Sequence, residues 1–235
     1  MPSIEHTVTK DITLILGDSE ETMTNMDSNS VDLFLTDPPY KDYQSNRTKK
    51  KTTKIHADNF SPKTLTDHIS RLLKPGHHFY IFCDHLTFSS FFDEITANKE
   101  LVYKNMIVWV KNNHGSGDLR GNYSPQHELI IYGTKGKGNK LNNRPSNIQC
   151  HKKVPNKRYN HSTIKPVELL TVLINASSNE DELVFDPYAG SFSTAHACMN
   201  TNRKSVSVEQ LLEHYTGGIQ RLENVLQPKG ASRGA

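Results

Sequence analysis

Leu35-Thr36-Asp37-Pro38-Pro39-Tyr40 places one carboxylate, two prolines and one aromatic ring directly after a short apolar run. Val31 to Leu35 favours a buried strand, so Asp37 emerges at that strand's carboxyl end, where open α/β sheets bind their ligands. The prolines stiffen the turn and carry no N–H, which leaves nearby carbonyls free to accept hydrogen bonds. A carboxylate, bare carbonyls and a stacking ring suit a planar base that bears an amino group. Taken alone, the same residues also make an ordinary proline turn with an acid at its start.

A second group lies near the other end of the chain. Leu183-Val-Phe-Asp186-Pro187-Tyr188-Ala-Gly190-Ser191-Phe192-Ser193 reads as strand, acid, glycine turn and helix start. Bare backbone and a helix N-terminus at the end of a strand are where a nucleotide-like cofactor sits. Glu209 ends the next strand, 23 residues after Asp186, and a carboxylate there takes ribose hydroxyls in nucleotide-binding βαβ units. Asp18 closes a further strand, Ile12–Leu16. The glycine-rich Gly115–Gly121 stretch lacks the Lys-Ser/Thr of a P-loop and GxGxxG spacing, so it reads as an active-site loop.

The elements that must carry these residues alternate between strand and helix. A helix capped by Asp18 or Ser19 runs to Met26, the second strand spans Val31–Tyr40, and a helix over Pro62–Leu73 stops at Lys74-Pro75-Gly76. The strand Phe79–Cys83, a helix over Thr87–Lys99 and strands at Met106–Val110 and Glu128–Tyr132 follow. A helix over Pro166–Ser177, one over Ser193–Asn200, a strand at Val206–Glu209 and a helix to Leu226 complete the order. The 235 residues suffice for one substantial core. Neither a signal peptide nor an apolar run of membrane-spanning length is visible, which points to a cytoplasmic protein. Cys83, Cys150 and Cys198 are odd in number and far apart, so a disulfide framework and a metal site are not expected, and His77-His78 reads as a turn.

The net charge of +3 conceals two basic segments. Residues 41–58 carry six basic side chains against two acids, and residues 133–160 carry eight with none, leaving the rest net acidic. Such segments suit phosphates, and 133–160 reads as an insertion outside the core.

Asp37-Pro38-Pro39-Tyr40, then His161-Ser-Thr163-Ile-Lys165-Pro166, Asp186-Pro187-Tyr188-Ala-Gly190-Ser191 and Glu209, resembles the S-adenosylmethionine-dependent amino-group DNA methyltransferases. The order resembles the permuted β class, in which the catalytic half precedes the cofactor half, and the likeness spans about residues 12–225. It implies a circularly permuted Rossmann-like methyltransferase fold: a mostly parallel α/β sheet with helices on both faces. One catalytic domain over residues 1–235 would carry the basic loop 41–58 and a target-recognition insertion at 133–160.

By that likeness Asp37, Pro38, Pro39 and Tyr40 are catalytic, and Asp37 also borders the cofactor. Asp186, Pro187, Tyr188, Gly190 and Ser191 would line its methionine and ribose, Glu209 would hold the ribose hydroxyls, Asp18 would contact the adenine, and Thr163 and Lys165 would lie beside the methionine. Arg47, Lys49, Lys50, Lys51, Lys54, Lys152, Lys153, Lys157 and Arg158 would meet double-stranded DNA. Trp109-Val-Lys111 and His127-Glu128 also match the family pattern. Phe192 and Ser162 depart from it, standing where the family has a third glycine and often a proline. The family uses Asp at position 37 mostly for adenine N6 and Ser for cytosine N4, so adenine is expected. Cytosine, RNA, a protein glutamine and an inactive nucleic-acid-binding relative are the alternatives. The likeness leaves room for a homodimer and a cognate restriction enzyme.

Overall fold

The computed structural model describes residues 3–39, 60–115, 121–155 and 164–227. Among these residues nine strands form a single sheet: β1 (Ile4–Thr9), β2 (Ile12–Leu16), β3 (Val31–Thr36), β4 (Leu73–Cys83), β5 (Leu101–Val110), β6 (His127–Lys135), β7 (Ile148–Cys150), β8 (Leu183–Asp186) and β9 (Lys204–Glu209). The spatial order is β1-β2-β9-β8-β3-β4-β6-β5-β7. β2, β9, β8, β3 and β4 are parallel neighbours, β6 runs antiparallel between β4 and β5, and β1 runs antiparallel on the far edge. The expected mostly parallel sheet is therefore present.

Helices cover both faces. α1 (Ser19–Asn25), α2 (Pro62–Leu72) and α3 (Phe88–Ala97) contribute to one apolar cluster, and α4 (Val167–Ser177), α5 (Ser193–Met199) and α6 (Leu212–Leu226) to the other. Alternation within the strands divides them: Phe79, Ile81 and Cys83 face the first cluster, Tyr80 and Phe82 the second. α2 starts where Ser61 Oγ accepts the Thr64 N–H and Pro62 takes the first turn.

Several expected boundaries move. β3 ends at Thr36 rather than Tyr40, because Asp37-Pro38-Pro39 leaves the ladder. β4 begins at Leu73, directly after α2, so Lys74-Pro75-Gly76 lies inside a strand. The ladder absorbs this proline with a register shift between Val31 and Leu33, and Gly76 takes a φ of 82° while its carbonyl accepts the Asn139 N–H. His77-His78 is therefore strand, not turn, with His78 buried. β1 and β7 are edge strands that the expected order lacked, too polar or too short to leave an alternating signal.

The segment 133–160 is not wholly an insertion. Residues 133–135 complete β6, with Thr134 and Lys135 buried, and β7 pairs in parallel with β5. β6 ends at the sheet edge opposite the strand ends that bear Asp37 and Asp186, so Lys137 and Lys140 are stationed there, while β7 returns the chain to the near edge by His151. Lys137 and Lys140 thus lie at one edge, and Lys152 and Lys153 at the other.

Candidate active site

The carboxyl ends of the parallel strands bring the two sequence landmarks together. β3 and β8 are hydrogen-bonded neighbours, and from them the chain winds in opposite directions, to β4 on one side and to β9 on the other. Asp37 after β3 and Asp186 at the end of β8 therefore flank the point where the strand order reverses, the crevice in which open α/β sheets bind ligands.

On the β8 side, Asp186 is buried and both its oxygens are engaged. Oδ1 accepts the Tyr188 N–H at 3.2 Å and Oδ2 the Thr194 hydroxyl at 2.6 Å. Burial pushes its carboxyl up to about 6, partly offset by these bonds. Asp186 thereby holds the glycine turn to the start of α5. Glu209 is also buried, and burial raises it to about 7 against hydrogen bonds from the backbone of Leu211, Gly190 and Gln210. The turn is tied to β9 through Ala189 N–H to the Val208 carbonyl, and Gly190 adopts φ 53°. The Pro187 carbonyl accepts the Ser19 hydroxyl, while the Tyr188 ring packs edge-on against Phe60 at 5.8 Å. Asp18 caps α1, its Oδ1 accepting the Glu21 N–H at 2.9 Å, and the Gly17 N–H reaches the Glu209 carbonyl.

Phe192 does not crowd this turn. It has φ 56° and ψ 37°, the left-handed conformation a glycine would adopt freely, and its ring is buried against Tyr215 and Gly218. From the same side Arg221 Nη1 donates to the Ser191 carbonyl at 3.0 Å, to Ser191 Oγ at 3.1 Å and to Ser193 Oγ at 3.0 Å. An arginine on an amphipathic helix leaves no sign in the sequence that it is buried, and sequence reasoning missed it.

On the β3 side, Lys165 is a centre of charge. Its Nζ lies 2.5 Å from Asp37 Oδ2 and 3.0 Å from Glu128 Oε2, with the Phe82 ring 5.0 Å away. Glu128 Oε1 takes Lys111 Nζ at 2.7 Å, and that ammonium lies 5.0 Å from the centre of the Trp109 ring. Burial works against the charge on Lys165, but Asp37 and Glu128 outweigh it and raise its pKa. Burial likewise opposes the Glu128 carboxylate, and Lys165 and Lys111 outweigh it, holding the group well below its ordinary range. Lys165 matches a motif expected beside the methionine; here it pairs with Asp37. Lys111 and Glu128 were visible as family-like residues without a role.

Lys152 and Lys153 are exposed just after β7, at the same edge as Asp37. Tyr40, Arg47, Lys49, Lys50, Lys51, Lys54, Lys157, Arg158 and Thr163 lie outside the described residues. Among the described residues, the one histidine-carboxylate group with ligand-like spacing is Asp32, His77 and Glu182. It lies at the opposite edge, where Lys74 Nζ sits 2.6 Å from Asp32 Oδ1 and the Leu183 N–H donates to Oδ2.

A family profile described as DNA methylase, of the N6/N4 type, matches residues 31–220. The chain is 30% identical over 237 residues to the type II methyltransferase M.HpaI of Haemophilus parainfluenzae, covering 90% of this chain and 74% of that protein. It is 28% identical over 250 residues to the DNA adenine methyltransferase YhdJ of Escherichia coli K12, covering 90% and 82%. The crystal structure of the M1.HpyAVI–SAM complex superposes with a TM-score of 0.70 at 25% identity, covering 89% of this chain and 99% of that one. The cytosine-N4-specific PvuII DNA methyltransferase shares the fold, with a TM-score of 0.72 at 15% identity over 92% of each chain. Two carboxylates across a strand-order reversal, a glycine turn between them and this family match lead to one conclusion: the chain belongs to the N6/N4 DNA methylase family and is a DNA methyltransferase.

Proposed function

We propose that the chain transfers a methyl group from S-adenosylmethionine to the N6 amino group of adenine in double-stranded DNA. The observation that carries this reading is Asp37, a carboxylate held by Lys165 at the strand-order reversal, with the Pro38 and Pro39 turn directly after it. The β8 side suits the cofactor. Glu209 is a buried carboxylate with a raised pKa, and hydroxyl donors such as those of a ribose would relieve its desolvation. Gly190 presents backbone without a side chain. Asp186, Pro187, Tyr188, Gly190, Ser191 and Glu209 would hold the cofactor, with Asp18 at its adenine and Thr163 and Lys165 beside its methionine. When bound, S-adenosylmethionine supplies an already electrophilic methyl group, so the protein's task is to orient a poor nucleophile.

An exocyclic amino group is poor because its lone pair is delocalised into the ring. Asp37 and the Pro38 carbonyl accept its two hydrogens, drawing the nitrogen toward tetrahedral geometry and stabilising the positive charge that develops on it. Tyr40 stacks on the base, a contact worth about 1–3 kcal/mol in single-strand binders. The target is paired within a duplex, so it must be flipped out while basic residues hold the backbone. An aspartate at position 37 favours adenine over cytosine.

Transfer of labelled methyl groups to unmethylated duplex DNA, followed by nucleoside analysis, tests the reading, with Asp37→Ala as control. Methyladenine that disappears in the variant is expected. Methylcytosine would overturn the base, and a wild-type protein that labels no DNA would overturn the substrate. A homodimer and a cognate restriction enzyme belong to the same reading. The first is tested by sedimentation, the second by whether methylation protects host DNA from a co-expressed nuclease of matching specificity.

A further inference from the structure

The active-site edge holds more charge than an acceptor for two amino hydrogens requires. Asp37, Lys165, Glu128 and Lys111 form one chain of alternating sign, closed by contacts of 2.5, 3.0 and 2.7 Å. It is drawn from three separate places in the sequence: the turn after β3, the residues before α4, and the β5–β6 pair, where Trp109 stands opposite Glu128. The side chains of Lys165, Lys111, Glu128 and Asp37 are 10%, 15%, 24% and 24% exposed, and removing four such charges from water has a large desolvation cost. Replacing the set with apolar residues would cost the fold little, so stability alone gives no reason for it. Its geometry bears on Asp37 instead. An ammonium held by Asp37 alone would draw electron density from the carboxylate and make it a weaker acceptor. Glu128 shares that ammonium, and Lys111 in turn limits how strongly Glu128 pulls.

We propose that Glu128 and Lys111 are positioning residues for methyl transfer, which set how firmly Lys165 grips Asp37 and so how well Asp37 accepts the hydrogens of the target amino group. The inference rests on amino-group methyl transfer and holds for adenine or cytosine. Among the described residues, the charged and titratable groups facing Asp37 include Lys165 from the residues before α4, Glu128 and, through it, Lys111 from the β5–β6 pair, Asp186 from β8 and the Cys83 thiol from β4. Burial, with Asp84 and Asp37 adding to it, raises the Cys83 thiol to about 12, so it stays neutral over the working range.

The two neighbours predict opposite signs. In Glu128→Gln a like charge is lost and Lys165 turns wholly to Asp37, so Asp37 ionises at lower pH and accepts less well. In Lys111→Gln the Glu128 charge is less neutralised and draws Lys165 away, so Asp37 ionises at higher pH. Side-chain carboxyl 13C NMR of the free protein reads this ionisation without any turnover. The acid limb of kcat at saturating cofactor and DNA reads it during catalysis. Expected are midpoints that move in opposite directions in the two variants, with kcat above the midpoint falling roughly 10-fold in Glu128→Gln and unchanged or higher in Lys111→Gln. Should Glu128→Gln fail to fold, the upward movement in Lys111→Gln carries the test. Lower kcat in both variants with unmoved midpoints, or unchanged kcat in both, would overturn the inference while methylation by the wild-type protein stands. A wild-type protein that methylates no DNA would overturn the functional reading, and this inference with it.

Discussion

Asp37 follows β3 and Asp186 ends the adjacent parallel strand β8, yet their surroundings differ. Asp186 gives one oxygen to the Tyr188 N–H and the other to the Thr194 hydroxyl, so it organises the turn, whereas Asp37 faces an ammonium at the open crevice. Asp37→Asn should keep the shape of the site and lose acceptor strength. The expected outcome is a loss of kcat of about 10²-fold or more with cofactor affinity, read by calorimetry, changed far less. Glu209 carries a cost that the proposed contact with ribose hydroxyls would explain. Its carboxyl lies near 7 in the folded protein against an ordinary 4.5. As pH rises from about 4.5 the unfolded chain releases this proton first, so the group lowers folding stability increasingly up to about pH 7. Glu209→Gln should therefore raise the melting temperature of the free protein at pH 8 more than at pH 5, by on the order of 1–2 kcal/mol of stability. The same variant should lose the thermal shift that S-adenosylmethionine produces. An equal change at both pH values would show that the charge is not what destabilises.

At the level of elements, the turn between β8 and α5 shows how a departure from a family pattern is absorbed. A side chain in the left-handed region costs roughly 1–2 kcal/mol relative to glycine, but Phe192 buries its whole ring against α6. α6 makes room with a glycine: a Cβ on Gly218 would lie 2.1 Å from Phe192 Cδ2. Gly218→Ala should then destabilise by about 1–3 kcal/mol through overpacking. Phe192→Gly should cost more, because the cavity outweighs the relieved backbone. In the double variant the alanine no longer meets a ring, so chemical denaturation should give less than the sum of the two effects; simple additivity would show that the two positions do not touch in solution. Arg221, on the same helix, braces Ser191 and Ser193, so a disturbance of α6 should also weaken cofactor binding.

For the molecule as a whole, the sheet sorts charge by edge. The strand ends that carry Asp37, Asp186 and Glu209 also carry Lys152 and Lys153 after β7, while Lys137 and Lys140 follow the end of β6 on the opposite side. If DNA lies across the ligand edge, replacing Lys152 and Lys153 with alanine should weaken binding and reduce the slope of log K against log salt by about one for each phosphate that is no longer neutralised. Lys137 and Lys140, equally basic and exposed, should leave that slope unchanged. An equal effect from both pairs would indicate general attraction rather than an oriented interface.

The strand-end positions of Asp37, Asp186 and Glu209 were legible in the chain, because an apolar run that ends in Asp-Pro-Pro or Asp-Pro-Tyr-Ala-Gly reports both its strand and its turn locally. The helices were equally legible from their periodic apolar faces, with ends off by a few residues where Leu73 passes straight from helix to strand. What depended on distant partners was not legible. The polar edge strand β1 and the three-residue β7 exist because β2 and β5 offer open edges. The basic run from Lys137 to Lys153 looks continuous in sequence and is split because β7 runs from one edge of the sheet to the other. The left-handed Phe192 is tolerated because of a glycine on another helix, and Arg221 is buried beneath a turn some 30 residues earlier. The ion chain from Asp37 to Lys111 joins residues brought together by the strand order alone. Local sequence determines which residues end a strand and turn toward a ligand; which charges then share that edge is a long-range property of the sheet, and only the tertiary structure decides it.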